Sequence, residues 1–224
     1  MMDVADNLTH IRQTIEQACK NSHRNPDEIT IIGVTKYVTI ERTEEAINAG
    51  IKNLGENRME GLLEKHDYIQ DRASWHFIGT LQSRKVKDVI GKVDAIHSLD
   101  RLSLAKEINK RAARPIDCFI QVNVSGEESK HGLSPEDTLS FIKQLERFKN
   151  VRIVGLMTMA PHTDDEDRLR AIFRRLVSLR ETIKAEHLAY APCDNLSMGM
   201  SNDYRIAVEE GATHIRIGSD LVGS

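Results

Sequence analysis

The sequence predicts an α/β fold, a single (β/α)8 TIM barrel preceded by one extra helix. Two observations carry that expectation. Short β-branched runs alternate with amphipathic stretches eight times along the chain, and strict alternation means parallel strands joined by right-handed crossovers. No linker or low-complexity segment divides the 224 residues, so 1–224 read as one domain, compact beside the roughly 250 residues typical of such barrels. A doubly wound open sheet is the alternative topology.

Leu8, Ile11, Ile15 and Ala18 recur at spacings of three and four, one face of a helix over about 4–21. Asn25-Pro26-Asp27 ends it. Ile29, Ile31, Ile32 and Val34 then read as a strand buried on both faces, with Lys36 at its carboxyl end. A helix over 41–49 stops at Gly50, a short strand covers 51–54, and Gly55-Glu56-Asn57 leads into a helix over about 58–68. The strand Ser74–Gly79 precedes a helix from Ser83 to about 90. The strand Val93–Ser98 precedes one from Asp100 to Ala113. A strand over 116–124 leads to a polar loop over 125–132. Ser134-Pro135-Glu136 then starts a helix to about 149, a capping serine followed by proline and acid. The sixth strand covers 151–159 and the longest helix 164 to about 188. Leu196 marks a short seventh strand, Ser201 caps the next helix, Gly211 stops it, and 213–217 form the last strand.

Composition excludes several classes. Charged residues are 29% and apolar residues 40%, as in soluble globular proteins. A net charge of −3 without a basic block gives no nucleic-acid footprint. The longest apolar runs fall far short of a membrane span of about 20 residues, and the acidic start, Met-Met-Asp-Val-Ala-Asp-Asn, has no apolar core of a signal peptide. Cys19, Cys118 and Cys193 are isolated, odd in number and outside any zinc pattern, which predicts reduced thiols in a cytoplasmic protein. The polar exterior permits a monomer.

Barrel sites lie at the carboxyl ends of the strands. Lys36 sits there, and burial lowers a lysine's pKa and frees its amine to attack aldehydes; a solvated or ion-paired lysine is the alternative. Ser197-Met198-Gly199-Met200-Ser201 and Gly218-Ser219 follow strands seven and eight, where barrels often bind phosphate, although Ser201 would cap a helix with or without a ligand. Arg216 projects from the last strand, as a ring-nitrogen partner or a rim ion pair. The rim has no dominant carboxylate pair, which argues against a glycosidase, and no metal-ligand spacing. A lysine, a phosphate cup and an arginine together suggest pyridoxal 5′-phosphate (PLP).

Specific motifs carry a resemblance. Val34-Thr35-Lys36, Gly55-Glu56-Asn57, Trp75-His76-Phe77-Ile78-Gly79-Thr80-Leu81-Gln82, Gly155-Leu156-Met157-Thr158-Met159-Ala160, Leu196-Ser197-Met198-Gly199-Met200-Ser201-Asn202-Asp203 and Arg216-Ile217-Gly218 span nearly the whole chain. They resemble the pyridoxal phosphate homeostasis protein family. The resemblance implies a barrel like the N-terminal domain of alanine racemase, with PLP held as a Schiff base on Lys36. It implies phosphate contacts at Ser201, Gly218 and Ser219, with Ser197 and Met198 nearby. Arg216 would meet the ring nitrogen, and Asn57 and His76 would line the pocket. Position 219 is serine where the family more often has threonine, which retains the hydroxyl, and the chain ends at Ser224 where relatives continue with a short tail.

The implied role is PLP binding in intracellular vitamin B6 homeostasis, without catalytic turnover and with PLP-dependent apoenzymes as recipients. A PLP-dependent amino-acid racemase is the alternative. Racemisation by two bases needs a group on each face of the substrate carbon, and Tyr37, expected by strand alternation to face away from Lys36, Tyr68, Tyr190 and Tyr204 offer no convincing second base. A third reading is a lysine-dependent aldolase acting on sugar phosphates.

Overall fold

The computed structural model describes residues 3–127 and 130–223. Met1, Met2 and Ser224 of the expected ends, and 128–129 of the expected loop, lie outside the described residues. Eight strands close into one parallel barrel in the order β1 to β8. They are β1 (Thr30–Val34), β2 (Asn53–Glu56), β3 (Ser74–Phe77), β4 (Ala95–Leu99), β5 (Ile116–Gln121), β6 (Val151–Met157), β7 (Asn195–Met200) and β8 (His214–Ile217). The open-sheet alternative is thereby excluded, since β1 pairs with β8 through Ile32 and Arg216.

The helices among the described residues are α1 (Val4–Asn21), α2 (Ile40–Ala49), α3 (Met59–Ile69), α4 (Val86–Val89), α5 (Leu102–Arg111), α6 (Pro135–Gln144), α7 (Glu166–Lys184), α8 (Tyr204–Glu209) and α9 (Ser219–Val222). The extra helix α1 is capped by Asp3, which accepts from the Ala5 N–H, and it buries Leu8, Ile11, Ile15 and Ala18 as its spacing requires. Ser134 caps α6 by accepting from the Asp137 N–H. Gly50 ends α2 at φ 112°, a left-handed position that disfavours a side chain. None of the described helices is long and apolar enough to cross a membrane.

Most strand boundaries differ from the sequence reading by one to three residues, and for two strands the physical reason is plain. β2 runs over Asn53–Glu56 rather than 51–54, because parallel pairing sets Asn53, Leu54 and Gly55 opposite Ile32, Gly33 and Val34. Apolar count locates a strand only when its polar residues face water, and Glu56 is buried. The seventh strand is longer than Leu196 alone and runs through Ser197-Met198-Gly199-Met200. Its register with β8 shifts between Ser197 and Met200, and Gly199 sits at φ 95°. This bulge keeps a glycine-containing segment that reads as loop inside the sheet.

The main apolar core lies between the barrel and its helices, around residues such as Trp75, Phe77 and Phe173. A separate, smaller cluster of Ala95, Phe119, Val154 and Met157 occupies the lumen. Branched apolar layers usually fill such a lumen. Here polar side chains take much of that space. At Gly155 a Cβ would fall 2.1 Å from the Asn195 carbonyl oxygen on β7, and the two residues are paired across the strands. Gly155→Ala is expected to force β6 and β7 apart and to cost about 1–3 kcal/mol, read as a lower urea midpoint.

Candidate binding site at the barrel mouth

A cavity of about 520 Å³ opens at the carboxyl ends of the strands, and Lys36, Asn57, Ser201, Arg216, Gly218 and Ser219 all line it. Six of the nine expected residues therefore share one wall. The other three lie elsewhere. Met198 is buried in the core between barrel and helices. His76 and Ser197 are also buried, in a polar network beneath the cavity. Met159 and Met200, both partly exposed, form an apolar lip that the sequence reading passed over.

Lys36 lies beyond the strand, in a turn, and is exposed. The expected desolvation is absent because β1 ends at Val34. Tyr37 is not directed away from it either. Alternation ceases where the strand ends, and Tyr37 adopts φ 68° with 72% of its surface exposed. The Lys36 ammonium sits 5.5 Å from the Tyr37 ring centroid, and the Arg58 guanidinium 5.7 Å from it, within cation–π range. This ring lines a neighbouring hollow of about 550 Å³, which shares Lys36 and Asn57 with the main cavity.

The buried lysine of this region is Lys65. Its Nζ donates to Glu56 Oε1 at 2.7 Å and to the Thr35 carbonyl at 2.6 Å. The Thr35 hydroxyl donates to the same carboxylate oxygen at 2.6 Å. A buried pair repays its desolvation only with such additional bonds. These bonds hold the backbone immediately before Lys36. Gly79 fixes the adjacent wall, because a Cβ there would fall 2.1 Å from the Asn57 carbonyl oxygen.

Ser201 does not cap the following helix. α8 begins at Tyr204, after a turn in which Asp203 Oδ1 accepts from the Met200 N–H at 2.6 Å. The carboxylate closes that turn, α8 has no side-chain cap, and burial raises the Asp203 pKa. The Ser201 hydroxyl instead lies 3.5 Å from the Asp220 N–H, next to Gly218 and Ser219 on the cavity wall.

Arg216 is 4% exposed. Its Nη1 donates to Ser197 Oγ at 2.6 Å and its Nη2 to the Thr158 carbonyl at 2.9 Å. Among the described residues no carboxylate lies within ion-pair distance of it, so the rim ion pair is not formed. Burial pulls its pKa down to about 10, opposed by the negative Asp203. It remains a cation at neutral pH. An ammonium, a buried guanidinium and two serine hydroxyls on one wall suit an anionic ligand that also carries an electron pair for the arginine. Among the described residues no cluster of three or more acidic, histidine or cysteine side chains could hold a metal.

Below Arg216 the network continues across the lumen. Ser197 Oγ is 2.8 Å from His97 Nδ1, His97 Nε2 is 2.9 Å from His76 Nδ1, and His76 Nε2 is 3.1 Å from Asn53 Oδ1. His97 stacks on Phe119 with centroids 4.2 Å apart. The sequence reading missed His97; its alternation with outward Ile96 on β4 was the available signal. Burial pushes His76 down to about 4 and His97 well below its usual value, and it lowers nearby His214 to about 3. Unfolding restores ordinary histidine affinity for protons. The unfolded chain therefore binds more protons between about pH 4 and 6.5, and stability falls as pH drops through that window. For His76 alone the loss between pH 7 and pH 5 is roughly 2 kcal/mol. Thermal unfolding across this range should show Tm falling with acid, and His76→Gln should flatten the slope.

Comparison with known proteins adds the last observations. The family model described as "Alanine racemase, N-terminal domain" matches residues 7–224. The pyridoxal phosphate homeostasis protein of Aquifex aeolicus is 41% identical over 226 residues, covering 99% of this chain and 98% of that one. Among solved structures, PipY of Synechococcus elongatus with PLP bound superposes at a TM-score of 0.85 with 29% identity, covering 98% of this chain and 100% of that one. Alanine racemase of Corynebacterium glutamicum superposes at 0.72 with 13% identity over 98% of this chain and 60% of its own. That last likeness is one of fold.

Proposed function

The chain belongs to the pyridoxal phosphate homeostasis protein family, and from that membership we propose that it holds PLP at the barrel mouth and releases it again, as part of intracellular vitamin B6 homeostasis. The observation that carries the reading is the shared wall: the Lys36 amine, the buried Arg216 guanidinium and the Ser201 and Ser219 hydroxyls around one cavity of about 520 Å³. PLP supplies an aldehyde that condenses with a primary amine and a phosphate that carries negative charge. Lys36 offers the amine. Ser201, Gly218 and Ser219 offer hydroxyl and backbone N–H donors for the phosphate. At Gly218 even a methyl side chain would meet only ordinary contacts with Val34, at 3.5 Å, so the chain's own packing leaves this backbone accessible. Arg216 has donors only; it donates to a ring nitrogen and leaves that atom without a proton. Asn57 would line the pocket beside the ring, while His76 and Ser197 lie beneath the wall and Met198 packs in the core between barrel and helices.

Holding rather than turnover is the reading the wall supports. Among its described residues it carries no tyrosine, histidine or carboxylate. Lys36 serves one face of a bound substrate, and two-base racemisation needs a group on the other. Tyr37 borders the neighbouring hollow instead. The proposal extends to a single-domain cytoplasmic monomer that exchanges PLP with apoenzymes, a setting that suits three buried free thiols.

Mixing the purified protein with PLP should produce a visible absorbance band that borohydride reduction fixes on the peptide containing Lys36. Lys36→Ala should abolish the band; its persistence would remove Lys36 from the role. Arg216→Gln should weaken PLP binding about tenfold and move the absorbance maximum. Steady racemase turnover by the PLP-loaded protein, at roughly 1 s⁻¹ or more, would replace the holding function by an enzymatic one.

A further inference from the structure

We propose that His97 is a positioning residue for Arg216, acting through Ser197 by a hydrogen-bond chain whose direction the arginine dictates; the link to PLP rests on the function proposed above. A guanidinium donates and never accepts. At 2.6 Å from Arg216 Nη1, Ser197 Oγ therefore accepts. Ser197 is fully buried, so its own hydroxyl hydrogen needs an acceptor inside the protein, and His97 Nδ1 at 2.8 Å provides it. A proton on that nitrogen would make Ser197 Oγ accept twice and leave its buried hydroxyl hydrogen without an acceptor. His97 must then carry its proton on Nε2, which donates to His76 Nδ1 at 2.9 Å. By the same step His76 is protonated on Nε2 and donates to Asn53 Oδ1 at 3.1 Å.

Every link runs the same way, from the guanidinium at the mouth to Asn53 at the amino end of β2. Asn53 also lines a second hollow, about 470 Å³ in volume, together with Arg12, Ile15 and Glu16 of α1. Both histidine rings are neutral in this arrangement, in keeping with their burial. The lumen thus presents Ser197 to Arg216 as an acceptor and never as a donor. Together with the Thr158 carbonyl, that sets the plane of the guanidinium and leaves its other N–H groups for the cavity. His214 stands outside the chain: its Nδ1 faces the Thr213 hydroxyl at 2.8 Å, and its ring centroid is 6.4 Å from that of His97.

Nitrogen-15 NMR of the histidine rings, recorded on the full chain without PLP at neutral pH, tests the direction. The expected result is Nε2 protonation at both His97 and His76; an Nδ1-protonated His97 overturns the proposal whether or not the protein binds PLP. Titration with PLP then tests the positioning. His97→Leu, which removes the acceptor, should weaken PLP about tenfold and shift its absorbance maximum. His97→Asn, which keeps an acceptor near the Nδ1 position, should restore both. Ser197→Ala should reproduce the His97→Leu effect and carries the test if His97→Leu does not fold; the double variant should be no worse than either single one. A folded His97→Leu variant with the affinity and spectrum of the unaltered chain overturns the proposal. Failure of the unaltered chain to bind PLP would count against the function proposed above, with the ring tautomers still deciding the direction of the chain.

Discussion

A buried arginine with no carboxylate partner among the described residues is the constraint on which the inside of this barrel depends. Removing a charge from water is costly unless hydrogen bonds replace the lost hydration. Arg216 receives two neutral acceptors, Ser197 Oγ and the Thr158 carbonyl, and the residue also lines the cavity. A lumen packed only with branched apolar residues would leave Ser197 without an acceptor for its hydrogen. Polar groups therefore continue inward through His97 and His76 to Asn53, and the apolar lumen shrinks to Ala95, Phe119, Val154 and Met157. A carboxylate beside Arg216 would have relieved the burial more directly, but it would also have cancelled the positive potential that makes the site attractive to an electron-rich ligand.

Support and reach are separated around Lys36. The backbone before Lys36 is gripped by the buried Lys65–Glu56 pair, which binds both the hydroxyl and the carbonyl of Thr35. Lys36 itself, one residue further, extends from a turn into solvent beside the Tyr37 ring. Firm backing with an exposed amine suits a group that must engage and release a carbonyl. Its chemistry does not require burial of the amine in advance.

Much of this organisation was legible in the chain. Regular alternation of apolar runs and amphipathic stretches specified the barrel because parallel strands buried on both faces leave little choice of residue. Ser134 and Gly50 marked helix ends by chemistry that acts over a few residues. Lys36, Asn57, Ser201, Arg216, Gly218 and Ser219 were readable as strand-end residues, and barrel topology alone brings strand ends together. The resemblance to a known family supplied the roles that those residue types left open.

What the chain by itself determined is therefore whatever depends on local pattern: the element order, the parallel barrel and the identity of six residues at its mouth. The tertiary structure alone decided which lysine is buried and which is free, that Asp203 rather than Ser201 closes the turn before α8, and that His97 reaches Ser197 across the lumen. Each of these rests on partners far apart in sequence. Lys65 finds Thr35 from 30 residues away and His97 finds Ser197 from 100. Burial and hydrogen bonding are properties of the closed barrel, and a periodicity of two or 3.6 residues carries no information about which strand stands opposite.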